Sequence, residues 1–127
     1  MDDEALTRFE EAKIDVWMAL VKKYGPPFPT GRHRAVFSNG RNVFKYPIND
    51  YGFHDNAWEY RKYSNRTDKS FPMARCRIID IKEIPILVME FVEQVPYGKD
   101  MPSWADFIDS QQVGWNKKGD IVAYDYA

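Results

Sequence analysis

The sequence is poor in cysteine and histidine, with a single cysteine, Cys76, and two histidines, His33 and His54, in 127 residues. One cysteine excludes an internal disulfide and agrees with a reducing compartment. One cysteine and two histidines are also too few for the usual structural zinc site. Cys76 lies in the strand-like stretch "MARCRIIDI", which favours a buried thiol over a reactive one.

Long apolar runs and an excess of charge of either sign are absent as well. No run approaches the roughly 18 residues that a membrane-spanning helix needs, and the acidic start "MDDEAL" is unlike a secretion signal. Eighteen basic and 19 acidic residues give a net charge of −1, so the chain as a whole has no field that captures nucleic acid or anionic lipid. The sequence predicts a cytoplasmic protein without membrane contact.

Apolar and aromatic residues are plentiful. An apolar fraction of 44%, with 16% aromatics, is typical of a folded globule, and the length predicts one domain over residues 1–127. Four Trp and eight Tyr suggest a binding surface, because these side chains are favoured where apolar area meets water. Ordinary core and rim aromatics explain the same content.

Residues 1–25 have the pattern of an amphipathic helix, followed by a change of pattern over 30–127. Asp2 or Asp3 can cap the helix, and Lys22 and Lys23 lie in its last turn, as the helix dipole favours. Its apolar positions recur at helical spacing. They are Leu6, Phe9, Val16, Leu20 and Tyr24, with Trp17 and Val21 beside them.

The remainder predicts an α+β fold with a small antiparallel sheet of four to five strands. Asn39-Gly40 indicates a tight hairpin, and a second helix is expected to begin at Asp55 or Asn56. The stretch "PILVMEFVEQ" is almost continuously apolar, which indicates an interior strand. The expected ranges are strands at 33–38, 41–46, 74–81, 85–94 and 119–126, a helix at 55–65, a loop at 96–104 and a short helix or turn at 105–112.

This order of elements carries a set of charged residues. Lys45 lies on the second hairpin strand in "NVFKYP", Glu59 lies in the following helix in "HDNAWEYRKY", Glu90 lies in "LVMEFVE", and Asp125 follows the last strand in "YDYA". Protein kinases have a strand lysine that reaches phosphates, a helix glutamate that pairs with it, and an aspartate that holds magnesium. The chain over 31–127 resembles a truncated kinase small lobe, with its second helix in the αC position, and is similar to small kinase-like proteins of bacteriophages.

The resemblance implies a vestigial nucleotide site. Lys45 corresponds to the phosphate-binding lysine, Glu59 to its partner and Glu90 to the hinge. Gln112 stands 13 positions before Asp125, at the spacing of the two magnesium ligands, so the resemblance implies ATP and Mg²⁺ as the possible cofactors. The favoured expectation is an ion pair among Lys45, Glu59 and Asp125 with a structural role and no cofactor.

The departures from the kinase pattern argue against catalysis. The catalytic triplet falls on Ala105-Asp106-Phe107, which puts phenylalanine where the base belongs. Only Gly31 stands where the phosphate-covering loop has three glycines, and 12 residues separate Glu93 from Asp106, too few for a second lobe. The favoured interpretation is therefore a non-catalytic module that binds and modulates a host protein in the host cytoplasm, or forms a homodimer, through an exposed sheet face.

Two other functions stay open. One is an ATP- and Mg²⁺-binding protein or minimal phosphotransferase that uses the residues above. The other is a binder of single-stranded nucleic acid, because basic and aromatic residues alternate around the hairpin and in the second helix. The candidate residues for nucleic acid, or for a protein partner, are Arg32, Arg34, Arg41, Arg61 and Arg66.

Overall fold

The computed structural model describes residues 2–28, 31–65, 71–94, 101–104 and 112–124. These residues form an α+β fold with two helices, a four-stranded sheet and a three-stranded sheet, both antiparallel. In chain order the elements are α1 Asp3–Tyr24, β1 Arg34–Ser38, β2 Asn42–Pro47, α2 Asp50–Ser64, β3 Cys76–Ile81, β4 Ile84–Glu90, β5 Glu93–Gln94, β6 Val113–Trp115 and β7 Ile121–Ala123. The larger sheet has the order β1-β2-β4-β3 and the smaller β5-β6-β7.

Helix α1 confirms the prediction for the N-terminal segment. Asp2 caps it by accepting a hydrogen bond of 2.7 Å from the Ala5 amide, which satisfies one of the free amides of the first turn. Gly25 ends it with a φ of 84°, a conformation that glycine adopts without strain. Among the described residues, neither helix is long and apolar enough to cross a bilayer.

Helix α2 begins five residues earlier than the sequence predicts. Its cap is Asn49, which accepts a hydrogen bond of 3.1 Å from the Gly52 amide, so the expectation that Asp55 or Asn56 caps the helix is wrong. The sequence analysis did not consider Asn49 as a cap. Asn56 instead points inward and is fully buried.

The four-stranded sheet contains the hairpin predicted at Asn39-Gly40, formed by β1 and β2, and a second hairpin formed by β3 and β4. Strand β4 lies between β2 and β3, which confirms the prediction of an interior strand. The β3–β4 hairpin turns at Lys82 and Glu83, whose φ angles of 50° and 67° are those of a tight two-residue turn. The predicted strand at 85–94 is divided, because β4 ends at Glu90 and β5 joins the other sheet.

The three-stranded sheet contains β6, which the sequence analysis did not predict. Strand β6 pairs with both β5 and β7, so its conformation depends on partners that are distant in sequence. Gly114 lies at its centre, where an added Cβ would collide with the carbonyl oxygen of Glu93. The helix or turn predicted at 105–112 lies outside the described residues except for Gln112.

The core consists of two clusters, one on each face of the larger sheet. Alternate strand residues face opposite sides, so α1 covers one face, and α2 together with the small sheet covers the other. The first cluster contains Val16, Leu20, Ala35, Phe37, Phe44, Tyr46, Ile84, Ile86 and Val88. The second contains Ala74, Cys76, Leu87, Met89, Val113, Val122 and Ala123.

These clusters correct the expectation of an exposed apolar sheet face. Phe37 on the α1 side is 1% exposed and Leu87 on the opposite side is 0% exposed. A partner therefore has to bind outside these two clusters. Cys76 is buried, as predicted.

Candidate functional site

Lys45 and Glu59 form a buried ion pair between β2 and α2. The Lys45 Nζ lies 3.1 and 3.2 Å from the two carboxylate oxygens of Glu59. The lysine side chain is 7% exposed and the glutamate side chain is fully buried. The alternation of β2 directs Lys45 away from α1, and the buried side of α2 presents Glu59 to it. The structure therefore brings together the two residues that the kinase resemblance paired.

Arg34 adds a second cation to this pair. Its Nη1 contacts the Glu59 carboxylate and donates a hydrogen bond of 3.1 Å to the Asn56 side chain. The Arg34 side chain is only 11% exposed, which corrects the expectation that it belongs to an exposed basic surface. In β1 it lies two residues from Val36, the partner of Lys45, so alternation points both cations to the same side.

Asn56 connects α2 to the sheet backbone. Its side-chain amide donates to the carbonyl oxygens of Lys45, at 2.9 Å, and Pro85, at 3.0 Å. The sequence analysis considered Asn56 only as a helix cap and missed this role. Its separation of three residues from Glu59 was the available signal, because residues three apart lie on the same side of a helix.

The last hairpin of the chain closes the site. Lys45 Nζ donates a hydrogen bond of 3.0 Å to the carbonyl oxygen of Tyr124, whose own amide donates to the carbonyl oxygen of Gln112 at 3.1 Å. Gln112 thus lies beside the strand end that contacts Lys45. Asp125 lies outside the described residues, so its pairing with Lys45 stays a prediction.

We call Arg34, Lys45, Asn56, Glu59 and the Tyr124 carbonyl the buried cluster. It places two cations on one carboxylate, and no buried side-chain polar atom of the described residues lacks a hydrogen-bond partner. A buried charge is tolerated when it is paired and hydrogen-bonded. The arrangement therefore stabilises the fold through mutual contacts among its members.

Glu90 lies apart from the buried cluster. It pairs with Asn42 across the sheet, whereas Lys45 pairs with Leu87, a separation of three residues or on the order of 10 Å along β4. Its carboxylate accepts hydrogen bonds from the Arg75 amide, at 2.6 Å, and from the Arg75 Nε, at 3.3 Å. In this structure Glu90 holds the start of β3 against β4.

The remaining predicted residues are dispersed. Arg41 is exposed and lines a cleft of about 390 Å³ together with Glu90, Lys117 and Lys118. Arg32 and Arg61 are exposed, Arg32 before β1 and Arg61 in the last turn of α2. Arg66 and the triplet Ala105-Asp106-Phe107 lie outside the described residues.

The described residues contain no group of three or more His, Cys, Asp or Glu side chains that could hold a metal ion. Gln112 offers only an amide oxygen, which binds Mg²⁺ poorly without carboxylates beside it. A magnesium site at Gln112 and Asp125 stays a prediction of the kinase resemblance.

Comparison of the chain with protein-family models, with curated proteins and with solved structures found no match. The buried cluster is therefore interpreted from its own geometry.

Proposed function

We propose that this chain is a non-catalytic module that binds a protein partner, and that the buried cluster is the structural remnant of a kinase-like nucleotide site. The observation that carries the proposal is the position of the Lys45 ammonium group inside the fold. An ammonium has three N–H donors and no acceptor. Three oxygens of the fold, Glu59 Oε1, Glu59 Oε2 and the Tyr124 carbonyl, already lie within hydrogen-bond distance of it.

A phosphate has to compete with these contacts for the Lys45 ammonium group. The Tyr124 contact belongs to the segment that follows β7, so its release disturbs the hairpin that covers the second core cluster. If the Glu59 contact breaks, a buried carboxylate loses one of its hydrogen-bond donors, which costs several kcal/mol. Nucleotide binding at Lys45 is thus opposed by the contacts that join β2 to α2, through Glu59, and to the end of β7, through the Tyr124 carbonyl.

Exposed aromatic side chains on α2 support a role in binding protein. Tyr51 is 69% exposed, Trp58 39% and Tyr60 40%, and such side chains contribute large contact areas to interfaces. The resemblance to bacteriophage proteins suggests a host protein as the partner. That suggestion depends on the resemblance alone.

The first test is nucleotide binding, measured as a thermal shift with millimolar ATP and Mg²⁺. A ligand at 100 times its dissociation constant stabilises a protein by about 2.7 kcal/mol. We expect ATP and Mg²⁺ to leave the unfolding temperature of the wild-type chain unchanged. The same is expected for Lys45→Met, compared with that variant without ligand. A shift that Lys45→Met abolishes, while Lys118→Met retains it, would establish a nucleotide site and overturn the proposal.

The second arm tests protein binding with the same purified chain. The immobilised chain should retain one protein from a lysate of its host in a fixed ratio, and this ratio should persist in 1 M salt if the contact is mainly apolar. Recovery of nothing above a blank surface would count against the proposal.

A further inference from the structure

Strand β3 forms one edge of the four-stranded sheet. It pairs with β4 in the register Ile81↔Ile84, Ile79↔Ile86 and Arg77↔Val88, with Asp80↔Pro85 and Ile78↔Leu87 between them. In an antiparallel pair, every second residue directs both its N–H and its C=O to the partner strand, and the intervening residues direct theirs away. The identity of the outward residues follows from the turn.

Two observations show which residues of β3 point outward. In a tight two-residue turn such as Lys82-Glu83, the residues on either side of the turn, Ile81 and Ile84, form a hydrogen-bonded pair. At the other end of β3, the Glu90 amide donates to the Arg75 carbonyl at 2.9 Å, which agrees with the same alternation. Pro85 has no N–H, which suits a pair without hydrogen bonds. The backbone groups of Ile78 and Asp80 therefore point away from β4, and no other described residue bonds to them.

Upstream of β3, the same edge of the sheet is already paired with β7. The Ala74 amide donates to the Ala123 carbonyl at 2.8 Å, and the Ala123 amide donates to the Pro72 carbonyl at 2.9 Å. Strand β7 is thus attached by a parallel bridge to the residues that lead into β3. This contact ends before Ile78, and the edge continues to the turn.

An apolar groove adjoins the open part of this edge. Ile78 and Pro85 form its floor, and Ala57, Tyr60 and Arg61 on one side of α2 form its wall, around a volume of about 400 Å³. Tyr60 is 40% exposed. Arg61 is exposed and makes no ion pair with any other described residue. The groove therefore combines an apolar floor with a positive charge at its rim.

We propose that an extended segment of a partner protein docks on β3 as an additional strand. Its backbone bonds to the outward N–H and C=O groups of Ile78 and Asp80, an apolar side chain enters the groove over Ile78 and Pro85, and an acidic side chain pairs with Arg61. Backbone bonds supply affinity in this binding mode and the side-chain groove supplies specificity. The inference depends on the proposed function, for which it names the surface and the class of partner.

The charge of the groove favours an acidic segment of a separate partner. Among the described residues that line the groove, Arg61 alone is charged, and an acidic side chain complements it. A second copy of the chain is the other candidate, because antiparallel pairing of two β3 edges would put the exposed Asp80 of each copy on the same face as Arg61. Self-association of the free chain that Asp80→Pro abolishes would therefore overturn the separate partner.

The test begins with random 12-residue peptides displayed on phage and selected on the immobilised full-length chain. A selected peptide is synthesised, its affinity is measured by calorimetry, and exchange of the wild-type backbone amides is followed by NMR. We expect apolar residues next to acidic ones in the selected peptides, and slower exchange at the Ile78 and Asp80 amides when the peptide is bound.

A matched pair of variants tests the backbone contact. Asp80→Pro removes an outward N–H that makes no bond within the sheet, and edge strands tolerate proline at such positions. Asp80→Asn removes the same charge and keeps the N–H. We expect Asp80→Pro to weaken peptide binding at least tenfold and Asp80→Asn to change it less than threefold. Loss of binding in both variants would contradict the backbone contact.

The outcomes separate this inference from the proposed function. Peptides that bind without slowing exchange at Ile78 and Asp80 overturn docking on β3, while the proposal of a protein-binding module remains. Selection of no peptide above the blank surface also overturns it. Because the exchange measurement uses the wild-type chain, it decides the question even if Asp80→Pro does not fold.

Discussion

At the scale of single residues, Glu59 is the carboxylate that both cations of the buried cluster contact. It is fully buried and contacts both Lys45 and Arg34. Removing a cation leaves Glu59 with the other one, whereas removing the carboxylate leaves two cations without it. The two kinds of substitution should therefore differ in cost.

We predict that Glu59→Gln destabilises the fold by about 3–5 kcal/mol, the usual cost of breaking a buried ion pair. Lys45→Met should cost less, because Arg34 still neutralises Glu59. Glu4→Gln breaks an exposed ion pair with Arg8 and should change stability by less than about 0.5 kcal/mol. Urea unfolding measures all three. A cost for Lys45→Met equal to or above that of Glu59→Gln would refute this order.

At the scale of elements, the position of α2 is set by its contact with the strand that precedes it. Gly52 lies in the first turn, and an added Cβ would collide with the His33 carbonyl oxygen and lie 3.0 Å from the Pro47 Cα. The same His33 carbonyl accepts the Ile48 amide at 2.8 Å. Close approach at Gly52 thus brings Asn56 and Glu59, further along the helix, over β2.

We predict that Gly52→Ala is destabilising, although this change in a helix ordinarily stabilises by about 0.5–1 kcal/mol. The Cβ forces α2 away from the backbone of His33 and Pro47, at a cost of about 1–3 kcal/mol. Ser64→Ala, on the exposed last turn of α2, is the control and should be near neutral. Thermal unfolding compares the two variants, and a higher midpoint for Gly52→Ala would show that the contact is looser than described.

At the scale of the whole molecule, α1 encloses one face of the larger sheet and Tyr46 links the two. The Tyr46 hydroxyl donates a hydrogen bond of 2.9 Å to the Lys13 carbonyl of α1, and its ring packs edge-on against Trp17 at 5.3 Å. Burial, and secondarily the negative charge of Glu10, raise the pKa of Tyr46 above its usual value of 10.0. The hydroxyl that anchors α1 is therefore kept neutral by the fold.

This shift predicts a pH dependence with a defined sign. A raised pKa stabilises the fold below pH 10, where tyrosine is neutral in both states, and the contribution is lost as pH rises from about 10 through the folded pKa. At pH 7, Tyr46→Phe should cost about 1 kcal/mol for the lost hydrogen bond. The stability difference from wild type should shrink above about pH 10. Urea unfolding at pH 7, 10 and 11 measures it, and a difference that widens would be the opposite result.

Local pattern was sufficient for the elements whose signals lie within a few residues. Asp2 and Gly25 delimit α1, Asn39-Gly40 lies at the turn of the first hairpin, and the continuous apolar run of β4 indicated its interior position. In each of these cases, the decisive interaction is with near neighbours or follows from periodicity. The pairing of Lys45 with Glu59 was expected from the resemblance to protein kinases, in which a strand lysine pairs with a helix glutamate.

Only the tertiary structure decided the remaining features, because they depend on residues distant along the chain. Strand β6 exists by pairing with β5 and β7, and Arg34 is buried because Glu59 and Asn56 of another element accept its hydrogen bonds. The edge at Ile78 and Asp80, to which no other described residue bonds, depends on strand order, which no single segment encodes. Composition and periodicity determined what this chain could form, and long-range pairing and burial decided which of its charges became internal and which strand lies at the edge of the sheet.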